Sequence, residues 1–185
     1  MQLRKIILLL VAGMVCLPLL VFADDKCAET LKQFRGLGDT NSFLNEAIGY
    51  AVFPTIGKGG FVIGGAYGEG CVYRGGGETG SVKMGQITVG FQLGGQAYSQ
   101  LIVFKNRDAY DAFTSGSFEF GADATAVALI YGAQASAGTK GVSASAGSEV
   151  GAAKWYRGMA VFTIAKGGLM YEASIGGQKF AFSPH

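Results

Sequence analysis

A chain of 185 residues with 31 glycines but only 3 prolines suits one domain, and its Val, Ile, Phe and Tyr content separates it from disordered glycine-rich linkers. A formal charge of +2 provides no basic stripe, so nucleic acid is not an expected partner. The single histidine is His185, the last residue; Ser-His and Cys-His nucleophiles lack a base and metal-ligand spacing is missing, so no catalysis, metal or cofactor is expected.

Taken in order, the chain begins with a targeting pattern. Arg4 and Lys5 precede an apolar run from Ile6 to Leu20, and Val21-Phe22-Ala23 resembles a signal cleavage site. Gly13 and Pro18 interrupt that run, which falls short of the roughly 20 apolar residues a spanning helix wants. The expectation is a signal peptide over residues 1–23, cleavage after Ala23, and export of a single domain, 24–185, to a periplasm or cell envelope. Cys16 follows Val15 and Cys27 follows Lys26, so neither sits in the small-residue context of lipoprotein processing. Arg4 and Lys5 leave with the signal, so 13 acidic residues are matched by an equal number of basic ones in the remainder. No polybasic cluster of the kind that binds anionic membranes remains. Cys27 and Cys71 also remain: in an oxidising compartment they form one disulfide, or else they are two buried small apolar residues.

From Asp24 to Tyr50 the pattern is helical. Cys27, Leu31 and Phe34 recur at i, i+4 and i+7, and Gly36 and Gly38 end that helix. Asp39 and Thr40 are candidate caps for a second helix with Phe43, Leu44, Ala47 and Ile48 on its apolar face. Packing on a sheet is preferred over lying on a membrane, because the polar face carries few basic residues. Ala51 to Phe53 predicts a short strand stopped by Pro54.

Lys58 to Tyr73 is an apolar, β-branched and aromatic run interrupted by glycine about every fourth residue. It predicts a strand that bends strongly, since glycine inside a strand marks a bulge, a bend or a close backbone approach. Arg74 to Gly80 predicts a loop. Ser81 to Gln96 alternates, with Ile87, Val89, Phe91 and Leu93 on one parity, and Tyr98 to Phe104 follows beyond a turn or kink at Gly94-Gly95. Asn106 is a candidate cap for a short helix. Phe118 to Phe120 is strand, Ala122 to Gly147 predicts a hairpin of small residues, and Met159–Ile164, Leu169–Ile175 and Lys179–Phe182 complete the strands. Phe53, Phe61, Tyr67, Phe91 and Tyr98 are expected in the core, with lining of an acyl pocket as the other reading. Asp108 and Asp111, about one helical turn apart, read as a solvated first turn rather than an acid/base pair.

One motif occurs twice: Ile56-x-Lys58-Gly59-Gly60-Phe61-Val62 and Ile164-x-Lys166-Gly167-Gly168-Leu169-Met170. The echo suggests two related hairpins. Neither copy has phosphate-loop spacing. Each places an ammonium group beside two glycine amides, a combination suited to a lipid headgroup phosphate or, more blandly, to blunting a strand start.

Together with Gly90-Phe91-Gln92-x-Gly94-Gly95-Gln96-x-Tyr98-Ser99, these motifs resemble the SYLF family, also called the Ysc84 actin-binding domain. The resemblance covers nearly all of the chain after the signal. It implies a lipid-binding module whose eukaryotic members bind phosphoinositides and, in one branch, actin filaments. For an exported bacterial member it implies a lipid or membrane surface as partner, and actin is not expected. The candidate lipid-binding residues are Lys58, Gly59, Gly60, Phe61, Lys166, Gly167 and Gly168. The expected fold is α+β: a strongly bent, glycine-rich antiparallel sheet or partly closed β-barrel with N-terminal helices packed on it. The expected function is non-enzymatic lipid binding and membrane association; the alternative is a structural envelope module that binds another protein.

Overall fold

The computed structural model describes residues 21–121, 129–131 and 154–185. The expected signal through Leu20 and the expected Ala/Ser hairpin over 122–147 lie outside them, apart from Leu129–Tyr131. Two helices open the described chain, α1 (Val21–Arg35) and α2 (Gly38–Glu46). They lead into β1 (Gly49–Arg74) and β2 (Gly77–Phe104). A short helix α3 (Arg107–Phe113), two short strands β3 (Ser117–Phe120) and β4 (Leu129–Tyr131), and a long β5 (Met159–Pro184) complete the chain.

These strands form one five-stranded sheet in the order β1-β2-β5-β3, with β4 also pairing β5. All pairings are antiparallel except that of β4, whose Leu129 to Tyr131 run parallel to Phe162 to Ile164. The bent-sheet expectation fits. The barrel alternative does not, because among the described residues β1 pairs only with β2 and the sheet stays open.

Several expected strand ends are continuous strand instead. Pro54 lies in a bulge between Phe53 and Ile56, where the donor that proline lacks is not needed by the ladder. The predicted loop from Arg74 shrinks to Gly75-Gly76, whose φ angles of +60° and +87° form a two-residue turn with Arg74 paired to Gly77. Gly94-Gly95 and Gly167-Gly168 do not interrupt β2 or β5.

Those glycines stay in the ladder beside the fold of the sheet. Gly59 and Gly60 of β1 face Gly95 and Gly94 of β2, and Gln96 and Ala97 face Gly168 and Gly167 of β5. The crease itself lies at Gly60 to Gly64 of β1, where a Cβ on Gly60 would clash with Gly64 Cα. The Gly94-Gly95 and Gly167-Gly168 pairs lie on its proximal side, two residues out of line with each other. At the crease β2 places Gly90 to Gln92 opposite the single residue Val62, since Phe61 pairs Leu93 and Ile63 pairs Val89. The Lys-Gly-Gly echo is thus two strands flanking β2 at one corner, not two related hairpins.

Beyond the crease the distal limb (β1 from Gly64, β2 before Gly90, β5 after Ser174) lies back over the proximal one. Gly68 shows how close the layers come: a Cβ there would sit 2.6 Å from Ile56 Cγ1 and 2.9 Å from the Thr55 carbonyl oxygen. Phe53 and Phe180 meet between the limbs at 5.7 Å, and buried Gln100 in the proximal limb donates to Gln178 Oε1 in the distal limb at 3.2 Å. Ala51, Phe53, Ile56, Val72, Met84, Ile102, Phe104 and Phe180 fill this inner core, which α3 closes through Tyr110 and Phe113. Asn106 caps α3 as expected, accepting from the Ala109 amide at 2.9 Å.

A second core lies on the outer face of the proximal limb, where Val52, Leu101, Val103, Ala160 and Phe162 meet Phe34 of α1 and Leu44 of α2. The Cys27, Leu31 and Phe34 stripe packs inward as its spacing implies. Each buried large side chain here contributes on the order of 1.5–3 kcal/mol. The cap of α2 differs from expectation: its N-cap is Leu37, without a side-chain hydrogen bond, and Thr40 is buried inside the helix. Among the described residues no helix is long and apolar enough to cross a membrane.

Candidate functional site: a polar groove beside an exposed apolar corner

Two bulges flank β2 near Tyr98 and Ser99. In β1, Pro54 and Thr55 fall between the pairs Phe53–Gln100 and Ile56–Tyr98. In β5, Lys166 falls between Ala165, opposite Tyr98, and Gly167, opposite Ala97. A bulge re-aims the residue it releases from the ladder. Ser99 donates to the Pro54 carbonyl at 2.7 Å, tying the first bulge to β2, and Lys166 Nζ reaches across to donate to Thr55 Oγ1 at 3.2 Å. Gly167 has a φ of +145°, a conformation that favours glycine at this step.

Above the bulges, α1 supplies one wall. Lys26, Glu29, Thr30 and Gln33 with Pro54, Thr55 and Lys166 enclose a groove of about 280 Å³. Cys27, beside Lys26, is bonded to Cys71 of the distal limb with an S–S distance of 2.06 Å. The helix wall is therefore covalently fixed to the sheet. The groove holds two ammonium groups against one carboxylate, and its neutral donors suit an oxyanion.

The residues anticipated for lipid contact divide between places. Lys166 lines the groove and Gly167 shapes its bulge, whereas Lys58 is half-buried in β1 opposite Gln96 and does not line it. Gly60 lies at the fold of β1, Gly59 lies beside it opposite Gly95, and Gly168 lies opposite Gln96. Phe61, expected in the core, is 70 % exposed at the corner. Lys26, Thr30 and Thr55 were not singled out in the sequence, since a helix face and a proline bulge bring them together.

The exposure of Phe61 is not isolated. Val62, Ile63, Tyr67, Ile87, Val89 and Leu93 are also exposed. Tyr67 is a second correction to the expected core, while Phe53 and Tyr98 are buried as expected. Cross-strand partners share a face, and Phe61 pairs Leu93, Ile63 pairs Val89 and Ile87 pairs Gly65. The parity that includes Ile87, Val89 and Leu93 thus faces outward, because Ala66, Val82, Met84 and Thr88 on the other parity fill the fold. The apolar strip ends at Tyr67, which donates to Glu69 Oε1 at 2.6 Å, and Glu69 is 3.8 Å from Lys83 Nζ. That hydrogen bond to the carboxylate raises the phenol's pKa above its ordinary value.

Asp111 is ion-paired to Arg107 at 3.1 Å and to Arg74 at 3.9 Å. Among the described residues no cluster of His, Cys, Asp and Glu could hold a metal ion.

A family model described as Las17-binding protein actin regulator, Ysc84, matches residues 85–183, more than half of the chain. The chain belongs to that family, the SYLF family that its motifs resemble. No curated protein and no solved structure matches it.

Proposed function

We propose that this chain is an exported, non-enzymatic lipid-binding protein of the SYLF type that associates with membranes by holding phospholipid headgroup phosphate. The observation that carries the reading is the groove in which Lys166, released by a bulge, stands with Lys26 over Thr55. Lys166 uses one donor on a neutral hydroxyl, and an ammonium group has three. Export is supported by the leader-like residues 1–23 and by the Cys27–Cys71 link, a bond that persists in oxidising compartments. The family description names Las17 and actin, which an exported chain would not meet, so the membrane reading is preferred.

Flotation with phosphatidylglycerol vesicles tests the reading. Each lysine near an anionic surface is worth about 1 kcal/mol, so Lys26→Ala with Lys166→Ala weakens binding roughly thirtyfold. Undiminished flotation of that double variant would overturn the groove assignment.

A second reading, an envelope module that pairs with another protein, is favoured by one observation. Among the described residues, β1 offers a 26-residue strand paired on one side only, and exposed edges accept added strands. Concentration-dependent association of the purified chain without lipid would move this reading to first place.

A further inference from the structure

We infer that the folded corner of the sheet, Phe61 to Ile63 with Ile87, Val89 and Leu93, enters the hydrocarbon layer of a phospholipid bilayer. This rests on the membrane reading above and goes beyond it by naming the surface that penetrates. Phe61 is 70 % and Ile87 72 % exposed, and Ile63 and Val89 beside them are also mostly uncovered. Neighbouring exposed apolar side chains on one face mark an interaction surface, unlike scattered single ones.

Shape and charge select the occupant. The patch lies on the outer side of the fold at Gly60 to Gly64, so it is convex. A convex apolar corner needs a matching hollow in a protein partner, but a fluid hydrocarbon layer conforms to it. From Gly59 to Gly68 and from Met84 to Ala97 the sequence holds no charged residue. In β5, Glu172 pairs with Gln92. Charges resume on both sides of the corner: Lys58 and Lys166 on the proximal limb, and Glu69 with Lys83 on the distal limb. Lys58 is three residues from Phe61, about 10 Å along a strand, from where its long side chain extends its ammonium group toward the headgroups when the corner is immersed. Phe61 to Tyr67 spans at most roughly 20 Å, comparable to the ~15 Å of one leaflet's hydrocarbon when tilted. Tyr67, with an apolar ring and a bonded hydroxyl, then falls at the interface where tyrosine is favoured.

Val62 adds an independent sign. Its φ of +64° is a left-handed conformation that a β-branched residue rarely adopts. With Gly60 before it and Gly64 beyond Ile63, a strained and exposed valine keeps an apolar side chain at the fold of β1.

The test labels the protein at Ile87→Cys or, as a control on the same face beyond the charged pair, at Ser81→Cys with an environment-sensitive fluorophore. The probe is vesicles of phosphatidylethanolamine and phosphatidylglycerol, with spin-labelled acyl chains as quenchers. The expected result is blue-shifted, quenched emission at position 87 and water-like emission at position 81. Ile87→Asp, unlabelled, should lower vesicle partitioning on the order of a hundredfold, with an unchanged thermal midpoint because Ile87 is not in the core. Flotation with water-like emission at both positions overturns the corner assignment and leaves the membrane reading standing. No flotation of any form overturns both. A shift at position 87 that follows protein concentration without vesicles overturns the inference in favour of a second copy as occupant.

Discussion

Removing the Cys27–Cys71 link, by Cys27→Ser with Cys71→Ser, should cost the protein much of its stability. The bond joins α1 to the distal limb across 44 residues of chain. For a closed loop of that length the chain-entropy relation gives about 13 cal/mol/K, or about 4 kcal/mol at 25 °C. At roughly 2–4 °C per kcal/mol for a chain of this size, the thermal midpoint should fall by about 8–16 °C. Urea unfolding of the wild type with and without dithiothreitol, beside the double serine variant, measures the same quantity. The uncrosslinked unfolded chain is also more expanded, so the denaturant slope should steepen. An unchanged midpoint on reduction, with loss of the bond verified by mass, would refute the claim that this link holds the helical layer to the sheet.

Other substitutions test the fold-over and the caps. Gly68→Val places a Cβ 2.6 Å from Ile56 Cγ1, so the limbs must part and the melt should show a loss of about 1–3 kcal/mol. Gly57→Ala, with no heavy atom within 4 Å of the new methyl, should leave the same melt nearly unchanged. Asn106→Ala removes the cap on the Ala109 amide and should cost about 1 kcal/mol in urea unfolding. Gln178→Ala leaves Gln100, already without a partner for its Oε1, with an unpaired buried amide, and should cost about 1–3 kcal/mol.

The helices were legible because a 3.6-residue spacing of Cys27, Leu31 and Phe34 leaves few alternatives. The long strands were legible as strand-forming but not as continuous. Pro54, Gly94-Gly95 and Gly167-Gly168 look the same in sequence whether the chain stops, turns or creases. Register between distant strands decides, and it is not written locally. Phe61 and Tyr67 were misplaced for a related reason: alternation separates two faces but does not say which one is covered. In the distal limb the parity with Gly68, Gly70, Val82, Met84 and Thr88 faces inward, and Gly68 and Gly70 let the opposing layer approach closely. The Lys166 motif stood out by its repetition. Its hydroxyl partner did not, since 111 residues separate Lys166 from Thr55 and only paired bulges bring them together.

The measurement closest to the central claim is flotation of the chain from Asp24 onward with phosphatidylethanolamine and phosphatidylglycerol vesicles at physiological salt. The account expects the oxidised protein to rise with the vesicles and to remain in the dense fraction without them. Protein that stays in the dense fraction at every lipid concentration, although folded and disulfide-bonded, would contradict it.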